Sequence, residues 1–434
     1  QVHDGGARGE LDRIEGLMHL HRSERKAGIA RLQQAIARAI AHRHDELALD
    51  AWLALSEKAS IDADRPDLAN LWIAQTKAFL ARIAPSSDLR HLRLKRAETL
   101  VAIANARFAR ARDVAAAALD RAAPDRQETW SLRMVLASAH LSLGHAQPAL
   151  AEYTALLPRF TDRWGPNHPT VGVIHINLGH IYVQYLGDPD RAQRHFDQAL
   201  QIFEGAYGQD SLRVAEVHAA QSIVDQHAGD YAAALAHLEK SLKIENRRLG
   251  PTHSRTANTW MNIGVCQHLL SNYAEATNSY SRALMIFRDK LSPDHDAVAT
   301  ASSNLAESLV ALHKHEQARP LFEDALRIMK MQLGDQHPDL AYPLKGLGLI
   351  GLATGSPQAA IRRFERALVL SPAATADPQE RAEISWGLAR SLRRADRTPR
   401  RASALAREAL SIYQRLGPTW RERTQTIQKW LAHR

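Results

Sequence analysis

A few residue constellations in the chain have spacings that could do chemistry. Gly346-Leu347-Gly348-Leu349-Ile350-Gly351 fits the Gly-x-Gly-x-x-Gly spacing with which a backbone loop closes on a pyrophosphate. That use requires a strand before the glycines and a helix after them. Here the flanking pattern is helical on both sides, and Gly348 falls 84 residues after Gly264, so close helix packing is the expected use. The 22 histidines invite a metal site. However, His253, His295 and His337 recur at a fixed step of 42, and His168 fills the same slot. Copies spaced along a chain do not converge on one ion, so a loop residue bonding nearby backbone is expected. The close pairs His42/His44 and His313/His315 have no Cys or carboxylate at convincing ligand spacing. Ser23-Glu24-Arg25-Lys26 matches a Ser-x-x-Lys nucleophile pattern without its companion motifs. The single cysteine, Cys266, lies between Val265 and Gln267 in an apolar-periodic stretch and reads as a buried thiol. No catalytic residue, metal site or cofactor is expected, and the chain as given reads as non-enzymatic.

The elements that position these residues are set by an internal repeat. Gly165, Gly208, Gly250, Ser292 and Gly334 follow one another at steps of 43, 42, 42 and 42. A second marker keeps the same step: Ala199-Leu200-Gln201-Ile202, Ser241-Leu242-Lys243-Ile244, Ala283-Leu284-Met285-Ile286, Ala325-Leu326-Arg327-Ile328 and Ala367-Leu368-Val369-Leu370. Each period reads as helix, short turn, helix. Small residues open the second helix (Ala192, Ala234, Ala276, Ala318, Ala360), where a bulky replacement would overpack the contact at a cost of about 1–3 kcal/mol. Linker glycines suit helix C-termini, and Pro169 or Pro338 suits the next helix start.

The linker Gly165-Pro166-Asn167-His168-Pro169, the core Asn177-Leu178-Gly179 and the close Ala199-Leu200-Gln201-Ile202 together resemble the tetratricopeptide repeat, in the 42-residue form of kinesin light chains. The resemblance is explicit over residues 164–371. It implies an all-α, right-handed α-solenoid of about ten helical hairpins plus a C-terminal capping helix. The expected organisation is a disordered leader over 1–8, degenerate helical repeats over 9–164, regular repeats over 165–371, and a hairpin with capping helix over 372–434. The degenerate pairs are read at about 9–42, 45–83, 87–122 and 125–164, the last pair at 378–416 and the cap at 418–433. A stack is obligatory because one hairpin cannot bury its own apolar face.

Trp386-Gly387-Leu388-Ala389-Arg390 and Leu405-Ala406-Arg407-Glu408-Ala409-Leu410 also resemble the C-terminal repeat tail of large bacterial serine/threonine kinases. No His-Arg-Asp or Asp-Phe-Gly triplet is present, so a kinase domain would have to lie outside the chain.

In the tetratricopeptide family the first helix of each hairpin lines the inner, concave wall. Asn177, Asn262 and Asn304 occupy one equivalent position there, with Ala220 and Gly346 in the other two copies. In peptide-binding relatives an Asn at this place donates to and accepts from a peptide backbone, although it can equally bond within the scaffold. Asn258, Met261, His268, Glu307, Tyr342 and Lys345, with Glu216 and Thr300, would surround it. This lining is mixed in charge and implies a protein or peptide partner without fixing its sign.

Composition agrees with that class. With 45% hydrophobic and 24% charged residues the chain can bury a large core. No apolar run is long enough to span a bilayer, and Gln1-Val2-His3-Asp4-Gly5-Gly6 is not a secretory signal. One cysteine fits a reducing compartment, so a cytoplasmic location is expected. Residues 377–434 hold 13 basic and 6 acidic side chains, most of the +9 net charge. They lack the interleaved aromatics of single-strand binders, so an Arg-rich solvated cap is expected in place of a nucleic-acid site. The leading reading is a non-catalytic interaction scaffold, the docking or sensor region of a bacterial signalling protein such as a kinase. Its rivals are a stand-alone peptide-sensing regulator and a nucleic-acid binder.

Overall fold

In the computed structural model, residues 2–21, 25–59, 66–83, 89–123 and 126–432 are described. Among them every regular element is helical. The chain forms two compact units, residues 1–206 and 207–434.

The first unit pairs α1 (Val2–His21) with α2 (Arg25–Ala41), α3 (Asp45–Ala59) with α4 (Pro66–Ile83), and α5 (Arg90–Ala104) with α6 (Phe108–Leu119). It continues with α7 (Gln127–Ser142), α8 (Ala146–Trp164), α9 (Pro169–Gln184) and α10 (Pro189–Tyr207), the last ending at the boundary. The pairs α3–α4, α5–α6 and α7–α8 fall within 45–83, 87–122 and 125–164, whereas the first pair begins at Val2 and not near residue 9. The stretch 1–8, expected as a disordered leader, is instead helical from Val2. A Cβ on Gly9 would stand 2.9 Å from Leu47, and Gly16 and Gly28 meet face to face between α1 and α2, so bare backbone allows the first helix to dock closely. Ser23 and Glu24 of the Ser-x-x-Lys match lie outside the described residues.

The second unit repeats one hairpin with more regularity: α11 (Leu212–His227) and α12 (Tyr231–Arg248), α13 (Ser254–Leu269) and α14 (Tyr273–Lys290), α15 (Asp296–Ala311) and α16 (His315–Leu333). Then come α17 (Ala341–Ala353), α18 (Pro357–Leu370), α19 (Pro378–Arg394), α20 (Pro399–Leu416) and the cap α21 (Arg421–Ala432). First helices α13, α15, α17 and α19 touch one another in sequence, and each second helix packs on the first helix that follows it. One apolar core runs from α13 to the cap, reaching Ile427. The opening alanines Ala276, Ala318 and Ala360 are fully buried in it, and Ala234 is fully buried in a smaller cluster with Leu238 and Ile263.

Helix starts are fixed locally. His253, His295 and His337 each cap a first helix: Nδ1 accepts the backbone N–H two residues on, at 3.1, 3.1 and 3.3 Å. His168 does the same for α9 at 3.2 Å. An accepting Nδ1 places the ring proton on Nε2. In the linker that carries Gly208, Ser211 takes over and accepts from Val214 N–H at 3.3 Å. The preceding helices stop where a side chain would be strained: Gly334 sits at φ +84°, ψ 163°, a region open essentially to glycine.

Candidate binding face

The Gly-x-Gly-x-x-Gly match lies inside α17. A Cβ at Gly346 would run into the ring of Phe322, and one at Gly348 would stand 2.8 Å from that of Phe364. The glycines therefore seat aromatic rings of neighbouring helices, as Gly264 seats Tyr280. Cys266 is fully buried, and burial pushes its thiol up to about 11, so at neutral pH it is neither thiolate nor nucleophile. Among the described residues no three His, Cys, Asp or Glu side chains gather as a metal site. No described helix is long and apolar enough to cross a membrane.

The Asn column divides. Asn177, in the first unit, donates from Nδ2 to Val173 carbonyl oxygen at 3.1 Å, a bond within its own helix. In the second unit Asn258 and Asn262 are exposed and Asn304 is half-buried. Four-residue spacing sets Asn258 beside Asn262 on one face of α13, and Met261 next to them is half-buried. His268, at the far end of α13, has Nδ1 at 2.8 Å from Ser308 Oγ of α15 and Tyr273 edge-on at 5.0 Å. Thr300 turns back onto its own helix, donating to Asp296 carbonyl oxygen at 3.1 Å, and Glu216 pairs with Arg213 at 2.8 Å.

Further along, α15, α17 and α19 share a charged cluster. The Tyr342 hydroxyl donates to the Glu307 carboxylate, and burial together with Glu307 holds that phenol well above its ordinary pKa. Lys345, 6% exposed, places Nζ 2.7 Å from Glu383 and 4.9 Å from the centre of the Tyr342 ring. Burial alone would lower its pKa, but Glu383 and Glu307 outweigh that and raise it. Glu380 is pushed up by burial in spite of Lys345, and its Oε1 is buried without a hydrogen-bond partner. Three carboxylates thus surround one cation. Lys345, Tyr342 and Glu307 are brought together as one group, whereas His268 and the Asn pair belong to a separate, neutral stretch of the same helix layer.

Glu380 and Glu383 were missed from sequence, since α19 lies past the regular repeat. Two histidine pairs were also missed. In the first unit His175 and His195 face each other with Nδ1 atoms 2.8 Å apart. Burial lowers both, His195 to about 4 with His175 adding to the effect. In the second unit His218 and His237 repeat the arrangement at 3.3 Å. The steps of 43 and 42 between equivalent members are the signal that would have found them.

Hairpins stacked through a layer of first helices and a layer of second helices define a helical-repeat protein with a polar face on the first-helix layer. The tetratricopeptide repeat family model matches residues 170–244, 219–289 and 296–371, so this part of the chain consists of tetratricopeptide repeats. No curated protein matches in sequence. Among solved structures, the apo form of RapI is similar over 85% of this chain and 97% of its own, with a TM-score of 0.59 and 15% identity. A Rap protein solved in complex with competence and sporulation factor is similar over 90% and 99%, with a TM-score of 0.56 and 14% identity. A signal-transduction ATPase with a tetratricopeptide repeat sensor, from Pyrococcus horikoshii, is similar over 85% of this chain and 55% of its own, at 0.56 and 15%. These likenesses concern the fold.

Proposed function

We propose that the chain is a non-catalytic binding scaffold whose first-helix layer in the second unit takes an extended protein or peptide segment. The observation that carries this is the state of the amides. Asn262 and Asn304 make no hydrogen bond among the described residues, and Asn262 stands exposed. An Asn amide offers donors and an acceptor suited to peptide backbone. Leaving these unused beside Met261 on the exposed side of α13 favours recognition over scaffolding at those two positions. Asn177, bonded within its own helix, has the scaffold role. The binding would be passive, bringing a partner to an attached effector by raising its local concentration.

The finer reading is a docking or sensor region of a bacterial signalling protein in the cytoplasm, with a serine/threonine kinase as the attached effector. Its support is the resemblance of the Trp386–Arg390 helix to kinase tails. The rival, a peptide-sensing regulator, draws on the likeness in fold to a Rap protein solved with competence and sporulation factor.

Affinity capture from lysate of the source cell tests the wall. Wild type is compared with the double variant Asn262→Ala/Asn304→Ala, and Asn177→Ala serves as control, each checked for helicity by circular dichroism. A partner held by wild type and by Asn177→Ala but lost by the folded double variant is expected. Equal capture by all three would sink the proposal.

A further inference from the structure

His218 of α11 and His237 of α12 meet across one hairpin of the second unit, with their Nδ1 atoms 3.3 Å apart. Gln221, almost one turn further along α11, brings its Oε1 to 3.2 Å from the same His218 Nδ1. Beside the other ring nitrogen of His237, Asp225 Oδ2 stands 3.9 Å from Nε2. That oxygen is buried and accepts no hydrogen bond among the described residues. Burial, with Asp230 adding to it, pushes the Asp225 carboxyl above its ordinary pKa. Gln221 is buried, while both histidines and Asp225 are half-buried, so the group can be reached from solvent.

The first unit supplies a contrast. His175 and His195 occupy the equivalent places, 43 and 42 residues earlier, but their Nδ1 atoms are 2.8 Å apart, a direct hydrogen-bond length. Leu178 and Tyr182 stand where the second unit has Gln221 and Asp225, and Tyr182 lies flat against the His195 ring at 5.4 Å. One shared proton satisfies that pair. In the second unit the polar atoms converge at longer spacing, and a proton on His218 Nδ1 would be divided between two acceptors. A metal ion fits this spacing. Two donors held tetrahedrally at about 2.0–2.2 Å from zinc lie about 3.3–3.5 Å from each other, close to both distances found here. With its Nδ1 lone pair turned to an ion, His237 carries its ring proton on Nε2, toward Asp225. A carboxylate behind a ligating imidazole is the usual support for such a ligand.

We propose that His218, His237 and Gln221 bind a divalent transition-metal ion of the zinc class, with Asp225 standing behind His237 outside the ligand set. Imidazole nitrogens suit zinc, copper and nickel, and a carboxamide oxygen in place of a thiolate disfavours the softer ions. Three protein donors leave a fourth position for water. This departs from the expectation, drawn from the linker histidines and the adjacent pairs, that the chain holds no metal. The site lies on a different hairpin from Asn262 and Asn304 and does not depend on their role.

The test uses the whole, untagged chain and zinc alone, titrated by calorimetry, with cobalt(II) as a spectroscopic stand-in. Wild type should bind one equivalent of zinc well ahead of any weaker binding to surface histidines. Zinc should raise the thermal midpoint, as any ligand selective for the folded state does, and cobalt(II) should show the visible absorption of a tetrahedral ion. His237→Ala should abolish the one-equivalent binding. Asp225→Asn should weaken it about ten- to hundredfold, the usual cost of losing a carboxylate behind a ligand. Gln221→Leu, which places in α11 the residue the first unit carries at the equivalent position, should also weaken it at least about tenfold. His175→Ala should leave it unchanged. Circular dichroism checks that each variant is folded. No one-equivalent binding in wild type, binding that survives in folded His237→Ala, or equal loss in His175→Ala overturns the proposal. Should His237→Ala fail to fold, Gln221→Leu decides, and unchanged zinc affinity there overturns the proposal as well.

Discussion

Lys345 Nζ and the Glu383 carboxylate stand 2.7 Å apart across α17 and α19, tying the last regular hairpin to the Arg-rich one that follows. The pair is not balanced. Glu380 shares the neighbourhood with a buried, unpartnered oxygen, so a third carboxylate is held there at some cost.

That cost has a sign that pH can read. Glu380 has its folded pKa raised, so the folded state binds its proton more tightly than the unfolded chain does. Ionised Glu380 therefore detracts from stability above its folded pKa, and the penalty disappears below the ordinary value of about 4.5. Glu380→Gln should raise the thermal midpoint at pH 7, and the advantage should vanish as pH falls below that value. Lys345 acts in the opposite sense. Its raised pKa contributes stability that persists below the unfolded value near 10.4 and is lost as pH rises through the folded one. Lys345→Met should therefore destabilise at neutral pH and converge with wild type in strong alkali. Melting curves across pH check both.

Helix seating predicts a compensation. Gly264 stands where a Cβ would be 2.6 Å from the Tyr280 ring, and the ring is 3% exposed. Gly264→Ala should cost about 1–3 kcal/mol by overpacking. In a Tyr280→Leu background the added penalty should shrink, because the colliding ring atoms are gone. Chemical denaturation of the two single variants and the double variant measures this coupling.

The imidazole caps should behave independently. His295→Ala removes one of two acceptors for Ala297 N–H, the other being Asp296 Oδ1 at 2.7 Å, and should cost no more than the lower end of the usual cap range of about 0.5–2 kcal/mol. His295→Asn should restore most of it, because Asn is a strong cap. The double variant with His253→Ala should show nearly additive losses by denaturant titration, since neither cap shares a partner with the other.

How much of this was legible beforehand follows from where contacts fall relative to the period. Ala276, Ala318 and Ala360 repeat in step, so their burial and the hairpins around them could be read from spacing. The His253, His295 and His337 caps were legible for the same reason, because each bond spans two residues. Lys345 with Glu383 was not. The pair is 38 residues apart, off the 42-residue register, and its second member lies where the repeat has lost its markers. Asn177, Asn262 and Asn304 share a slot in sequence, yet only Asn177 bonds its own helix. Which way a side-chain amide turns is decided by its neighbours in space, and spacing carries no record of them.

The cap histidines have one more consequence. Each begins its helix by a bond to backbone two residues away and draws on nothing from adjoining hairpins. A duplicated period therefore carries its own start signal, and a deleted one takes its signal with it. The array can lengthen or shorten by whole units without rewriting the residues that remain. Ser211 in place of the imidazole shows that a unit can also change the signal's chemistry alone. Growth by copying, followed by drift within each copy, is the history such an arrangement permits.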